Sequence, residues 1–247
     1  MNDTVWGTKP WIGKLVMLVV LGIATLFCFW IGSHLRVYTG RELYRFLNWD
    51  IFLAWVPALL ALLLDGAIAL SRYWRLRLVG KIVIVLLGIC WLFFYPNAAY
   101  LVTDLIHPFV HYRPSGRFAE DLEFWYHLFL FFNAGTLGLG LGTYALSSVQ
   151  QHIAERYGLW RSWLFAALVL ILSSIGIYIG RFIRWNSWDV FTQPHNVLND
   201  MMTVVNDPSQ LRFMLVFTGM MLIISGIGYI LMRGGMYLIR RTGGYRW

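Results

Sequence analysis

Two polar strings in an otherwise apolar chain carry the residue types that do chemistry. The first is Tyr95-Pro96-Asn97-Ala98-Ala99-Tyr100-Leu101-Val102-Thr103-Asp104-Leu105-Ile106-His107-Pro108, and the second is Gly180-Arg181-Phe182-Ile183-Arg184-Trp185-Asn186-Ser187-Trp188-Asp189. In the first, Asn97 is a good helix N-cap, and Pro108 disfavours continuation of the helix through His107. On the short helix between them, Tyr100, Asp104 and His107 share one face. A carboxylate and an imidazole held side by side can act as a general acid–base pair at neutral pH, or as two metal ligands. The same two side chains on a capped interfacial helix would simply face water. In the second string, Arg181 and Arg184 carry guanidinium forks that match carboxylate or phosphate geometry and cannot act as bases. They are expected either to pair with Asp104 or Asp189, or to hold an anionic group. Asn186, Ser187 and Asp189 favour turns and caps and would fix the arginines in place. The candidate catalytic residues are therefore Asp104 and His107. The candidate binding residues are Arg181, Arg184, Asn186, Asp189, Tyr100 and Asn97.

The elements that must position these strings are membrane-spanning helices. Of the 247 residues, 59% are hydrophobic and 13% charged, whereas soluble domains are about 45–50% apolar and about 25% charged. Six apolar runs fall near Leu15–Gly32, Ile51–Leu70, Leu78–Tyr95, Phe124–Leu146, Trp163–Ile179 and Leu211–Met232. Each is long enough, at roughly 17–22 residues, to cross a hydrocarbon core of about 30 Å. Their continuity excludes the alternation of a β-barrel, so the expected fold class is all-α, a single polytopic bundle of six helices. The first run is too long for a cleaved signal peptide and no Ala-x-Ala-like site follows it. Tryptophan and tyrosine cluster at the ends of the runs, as in an interfacial belt.

The net charge of +8 is explained by topology rather than by nucleic acid. Arg72, Arg75, Arg77 and Lys81 follow the second run, and Arg233, Arg240, Arg241 and Arg246 follow the sixth. With Lys9 and Lys14 they fall on one side, which the positive-inside rule makes cytoplasmic, with both termini. Anionic headgroups of the inner leaflet are their counter-charges. The acidic connection Pro96–Glu123 and the string from Arg181 then share the outer face, where they can meet.

Other residues read as structure. Ala134, Gly138 and Gly142 form a small-residue stripe for close helix packing, and Gly176 and Gly180 form a second, making spans four and five natural neighbours. Glu123 and His127 lie on the same stripe and are expected to point into the bundle. Asp65, near the cytoplasmic end of span two, is expected to pair with a nearby base such as Arg72. Asn133 is a thin candidate for a mid-membrane transport site. His107 and His111, with Asp104, Glu123 and His127, lack a metal motif: Pro108 interrupts the His-x-x-x-His spacing, so no metal site is assigned and no cofactor is fixed. His195 reads as a loop residue. Cys28 and Cys90 read as apolar fillers inside helices, with no disulfide framework.

Pro96-Asn97-Ala98 with Thr103-Asp104-Leu105-Ile106-His107, and Gly180-Arg181-Phe182 with Arg184-Trp185-Asn186-Ser187-Trp188-Asp189, resemble the signatures of a bacterial family of small polytopic membrane proteins, domain of unknown function 1361 (DUF1361). The resemblance covers roughly Ile51 to Met232. It implies residence in the bacterial cytoplasmic membrane and brings no activity with it. Family members carry an acidic residue near Trp125-Tyr126, where this chain has His127.

Three functions fit these observations. The leading one is a membrane protein of unknown molecular function with an outward polar site at the ends of spans three, four and five, through which it binds a membrane-protein partner. The second is a hydrolase or transferase acting on an anionic lipid or lipid-linked envelope substrate, and the third is a small-solute transporter. The lipid bilayer is a partner in all three.

Overall fold

The computed structural model describes residues 10–71, 77–112 and 118–242. Among them every element is helical. The long helices are α1 (Pro10–Thr39), α2 (Arg45–Ser71), α3 (Arg77–Phe94), α6 (Leu122–Tyr157), α7 (Leu159–Tyr178) and α10 (Pro208–Thr242). Short helices α4 (Pro96–Tyr100) and α5 (His107–His111) follow α3, and α8 (Asp189–Thr192) and α9 (Pro194–Asn206) follow α7. Among the described residues, six segments are long and apolar enough to cross a membrane: Gly13–Thr39, Arg45–Ser71, Leu78–His111, Leu122–Tyr157, Leu159–Ile183 and Pro208–Gly234. Each covers one of the apolar runs. Of the basic residues on which the orientation argument rests, Lys9, Arg72, Arg75 and Arg246 lie outside the described residues, as do Arg113 and Arg117 of the acidic connection.

The third span departs most from its expected limits. The chain does not stop at Tyr95, whose backbone (φ −55, ψ −38) stays helical. Pro96 and Pro108 each fall in the first turn of a new helical segment, where a missing N–H costs nothing. Between α4 and α5, Leu101–Ile106 winds as a 3₁₀-helix. Asn97 is therefore not a cap: it sits inside α4 and its amide donates to the Phe94 carbonyl at 3.0 Å. Nor does Pro108 end the helix, because the switch into α5 occurs one residue ahead of it and His107 keeps helical angles (φ −63, ψ −35).

This extension is the hub of the bundle, packed against α2, α6 and α7. It can sit there because its neighbours carry no side chain at the crossing points. A Cβ on Gly138 would lie 2.3 Å from the Ala98 carbonyl oxygen, and one on Gly176 would lie 2.8 Å from the Pro96 ring. The glycines of the α6 and α7 stripes thus lie against the α3–α4 junction and α4, with Gly180 receiving the Tyr100 ring in the same way, while α6 and α7 pack on each other as neighbours. A helix inserted between two spans needs small residues on both. The main core joins Leu101 to Leu130, Phe131, Leu137 and Leu141 of α6 and to Ile31 and Leu35 of α1. Asn133, the thin transport candidate, donates to the Ala24 carbonyl at 2.9 Å and fastens α6 to α1.

Beyond Tyr178 the helix does not continue outward as α-helix. Ile179–Ile183 widens into a single π-turn, closed by Arg184 in the left-handed region (φ 69), whose N–H donates to the Ile179 carbonyl at 2.9 Å. The Arg184 side chain is exposed. His195, expected in a loop, opens α9, a short helix that buries Val197 and Val204.

Gly138→Ala is expected to destabilise the protein by about 1–3 kcal/mol through overpacking against backbone. Gly219→Ala on α10, where an added Cβ meets nothing within 4 Å, is expected to be neutral or slightly stabilising. Thermal midpoints of the two purified variants in one detergent check this, and equal midpoints would remove the close-approach argument.

Candidate functional site

The 3₁₀ geometry of Leu101–Ile106 builds the site's inner wall. At three residues per turn, side chains three apart eclipse, so Leu101, Asp104 and His107 form a row toward α6. Leu101 and Asp104 are fully buried. Arg181, reaching from the π-turn, donates to Asp104 Oδ1 at 2.9 Å and to the Tyr100 hydroxyl at 3.4 Å, with its guanidinium 5.7 Å from the Tyr100 ring centre. The two motif strings therefore meet through one ion pair. A tighter α-helical turn at Ile179–Ile183 would rotate Arg181 to another position, so the π-turn belongs to the site.

His107 completes the row, its Nδ1 3.7 Å from Asp104 Oδ1 and 3.0 Å from the Asp104 carbonyl oxygen. Its ring stacks on Phe131, with centroids 5.5 Å apart. Asp104 Oδ2 is buried with no hydrogen-bond partner among the described residues. Of the remaining candidates, Asn97 donates to Ser187 Oγ at 3.1 Å, tying α4 to the second string. Asp189 caps its own turn, accepting from the Asn186 backbone N–H at 2.6 Å and side-chain amide at 3.1 Å. Asp104 is thus the partner of Arg181, while Asp189 and Arg184 are not brought to either.

Beside this wall lies a cavity of about 470 Å³ between α2, the α3–α4 junction and the end of α7. Asp50, Asn97, Tyr100, Trp185, Asn186 and Ser187 line one part of it, and Leu53, Leu92, Leu172, Ile175 and Ile179 the other. Asp104, His107, Arg181 and Arg184 are not among its lining residues. Asp50 was missed by sequence reasoning because it stands just before the apolar run that begins at Ile51. An acid flanked by Trp49 at the same end of the bundle as both strings was the available signal. Asp50 makes no hydrogen bond or ion pair among the described residues, and the described cation whose charge it feels is Arg181.

Next to the site, the α1–α2 connection is pinned to α6. Tyr44, left-handed at φ 58, places its hydroxyl 2.6 Å from His127 Nδ1, and burial raises its phenol above the ordinary value. The fully buried His127 has Nε2 3.3 Å from Glu123 Oε1, and Arg41 pairs with Glu123. Both Glu123 and His127 thus serve in packing α6 against the α1–α2 connection. At the opposite end, Asp65 is held by Lys14 at 2.5 Å, Ser148 at 2.7 Å and His152 at 2.6 Å. These partners come from α1 and α6, while Arg72 lies outside the described residues.

Six apolar helices of membrane-spanning length, joined by partly buried ion pairs, define a multi-pass α-helical membrane protein. Residues 49–224 match the family model described as "Protein of unknown function (DUF1361)", and the chain belongs to that family. The match begins on Trp49 and Asp50, takes in both strings, and leaves α1 outside. No curated protein and no solved structure matches the chain.

Arg181→Met is expected to lower stability by about 3–5 kcal/mol, because it leaves Asp104 buried and uncompensated. The double variant Arg181→Met, Asp104→Leu is expected to recover most of that loss. Membrane abundance and thermal midpoint read it, and a double variant no better than the single would show that the pair is not the source of the effect.

Proposed function

We propose that this is a protein of the bacterial cytoplasmic membrane that binds an amphiphile of membrane-lipid type in the cavity between α2, α4 and α7. The observation that carries this reading is the polarity gradient along the cavity. Its polar residues sit at the end of the bundle where α2 begins and α7 finishes. Its apolar residues lie deeper: Leu172 is eight residues before Gly180, about 12 Å along a helix. A lipid has the same gradient, with its head at the interface and its chain toward the bilayer centre. A volume near 470 Å³ holds a headgroup and the start of a chain, within the range of small-molecule sites. With both termini cytoplasmic, this end of the bundle faces outward, so the lipid is one of the outer leaflet of that membrane.

Within this reading Asp104 works from behind the wall. It holds Arg181, Arg181 holds the Tyr100 hydroxyl, and Tyr100 and Asn97 present the polar surface. His107 belongs to the same row and packs away from the cavity, against Phe131. A lipid hydrolase or transferase built on Asp104 and His107 would require its substrate to pass Tyr100 into that row. The geometry therefore favours binding over chemistry at these two residues.

Ile175→Trp should fill the apolar part of the cavity and reduce co-purifying lipid, read by native mass spectrometry, at least five-fold. Leu168→Trp, at an exposed apolar position of α7, should leave it unchanged. Equal lipid in the two variants, at equal thermal midpoints, would defeat the reading.

A further inference from the structure

The charge balance around the cavity names the kind of head it takes, on the reading that it holds a lipid-type amphiphile. Two acids, Asp50 and Asp104, lie within electrostatic reach of each other and of one guanidinium, Arg181. Arg181 is committed to the buried Asp104 at 2.9 Å. Together these two make a neutral pair, and Asp50 is left on the cavity surface without a hydrogen bond or ion-pair partner among the described residues. No Lys, Arg or His is among the lining residues, so the described lining carries one formal negative charge and no positive one.

The rings beside Asp50 suit the same ligand. Trp49 and Trp185 both line the cavity. An indole face attracts cations, ammonium groups above all, through its quadrupole. Trp185 is held in place by donating its N–H to Asp200 Oδ2 at 2.8 Å, so its ring is positioned rather than loose. The Tyr100 ring already has Arg181 against it, which leaves the two tryptophans for a ligand. Asn97, Asn186 and Ser187 can serve the polar atoms next to an ammonium. A phosphate or carboxylate at the same place would meet Asp50 with nothing in the described lining to offset it. The anionic head expected from Arg181 and Arg184 has neither arginine to meet it in the cavity, the first being paired with Asp104 and the second absent from the described lining.

We propose that the cavity selects an amphiphile with a cationic, ammonium-bearing head, seated on Asp50 between Trp49 and Trp185, with its chain against Leu53, Leu92, Leu172 and Ile175. Three diacyl lipids with identical chains test this: one with a trimethylammonium head, one with a bare hydroxyl and one with a phosphate. Each is titrated into the purified full-length protein in maltoside detergent, and occupancy is read by native mass spectrometry for wild type, Asp50→Asn and Ile175→Trp. The ammonium lipid should bind wild type at least ten-fold more tightly than the other two. Asp50→Asn, an isosteric change, should erase that preference while leaving the thermal midpoint in place, and Ile175→Trp should weaken all three lipids. Preference for the phosphate lipid, or an ammonium preference that survives Asp50→Asn, would overturn the proposal. Equal binding of the three heads, all weakened by Ile175→Trp, would sink the cationic head alone and leave the lipid site standing. Binding that Ile175→Trp does not change would sink both.

Discussion

The structure depends on how closely Pro96–Ile106 can approach the backbones of α6 and α7. A membrane protein has little hydrophobic drive to press helix on helix, since lipid tails are as apolar as leucine. What holds an inserted segment is contact at short range, and short range requires absent side chains. Gly138 and Gly176 supply this from opposite sides, so α4 is gripped rather than merely flanked. Once α4 is seated, the 3₁₀ turn after it has only one direction in which to send Asp104, and that direction is inward. A fully buried carboxylate then needs a partner, and the π-turn at the end of α7 exists in the position that delivers Arg181 to it. The ion pair thus follows from the packing. Removing Arg181 alone would leave the packing with a charge it cannot hold.

That sequence of causes explains why polar residues so far apart in the chain form one surface. Asn97, Tyr100 and Pro96 line the cavity because α4 is seated, and Asn186 and Ser187 line it because Arg184 turns the chain back in the left-handed region. The bond from Asn97 to Ser187 closes the two halves against each other. The cavity is what remains where α2 meets this junction. Its wall is rigid where it is polar, and its deeper part is made of leucine and isoleucine side chains, which adjust to a chain more readily than a hydrogen-bonded wall adjusts to a head.

Much of this was legible in the residues. Runs of apolar residues with interfacial aromatics specify spanning helices because a bilayer permits little else. The pairing of Arg181 with Asp104 was among the expected alternatives, since two arginines at the end of a span need counter-charges. What the sequence did not show was helix type. Nothing in Leu101-Val102-Thr103-Asp104-Leu105-Ile106 distinguishes a 3₁₀ turn from an α turn, because that choice is made by the neighbours that crowd it. The same holds for the π-turn, and so for the fate of Arg184. The glycine stripes were visible, but a stripe does not name what lies on it. They were read as making spans four and five neighbours, which α6 and α7 are, but the glycines themselves lie against the α3–α4 junction and α4. Asp50 fell outside the reading because an acid one residue before an apolar run looks like an ordinary boundary charge until α4 and α7 are placed beside it.

The two ends of the bundle show how differently a half-buried acid can be treated. Asp65 receives Lys14 and Ser148 on one oxygen and His152 on the other, and Lys14 also donates to Ser148 at 2.8 Å. Both oxygens are satisfied by partners from α1 and α6, and what results is a clamp between those helices and α2. At the other end, Arg181 is paired with Asp104, one oxygen of Asp104 has no hydrogen-bond partner among the described residues, and Asp50 faces a cavity. Burying a polar group without a partner is costly enough that native proteins rarely do so without a use for it. A protein able to satisfy Asp65 so fully had the means to satisfy Asp50 by placing one more lysine or arginine in the second string. Instead the string places Trp185 beside it, Asn186 and Ser187 around it, and its second arginine outside the described lining. The deficit of positive charge is therefore built by the same residues that shape the cavity, and a ligand that brings its own positive charge is the simplest way to complete it.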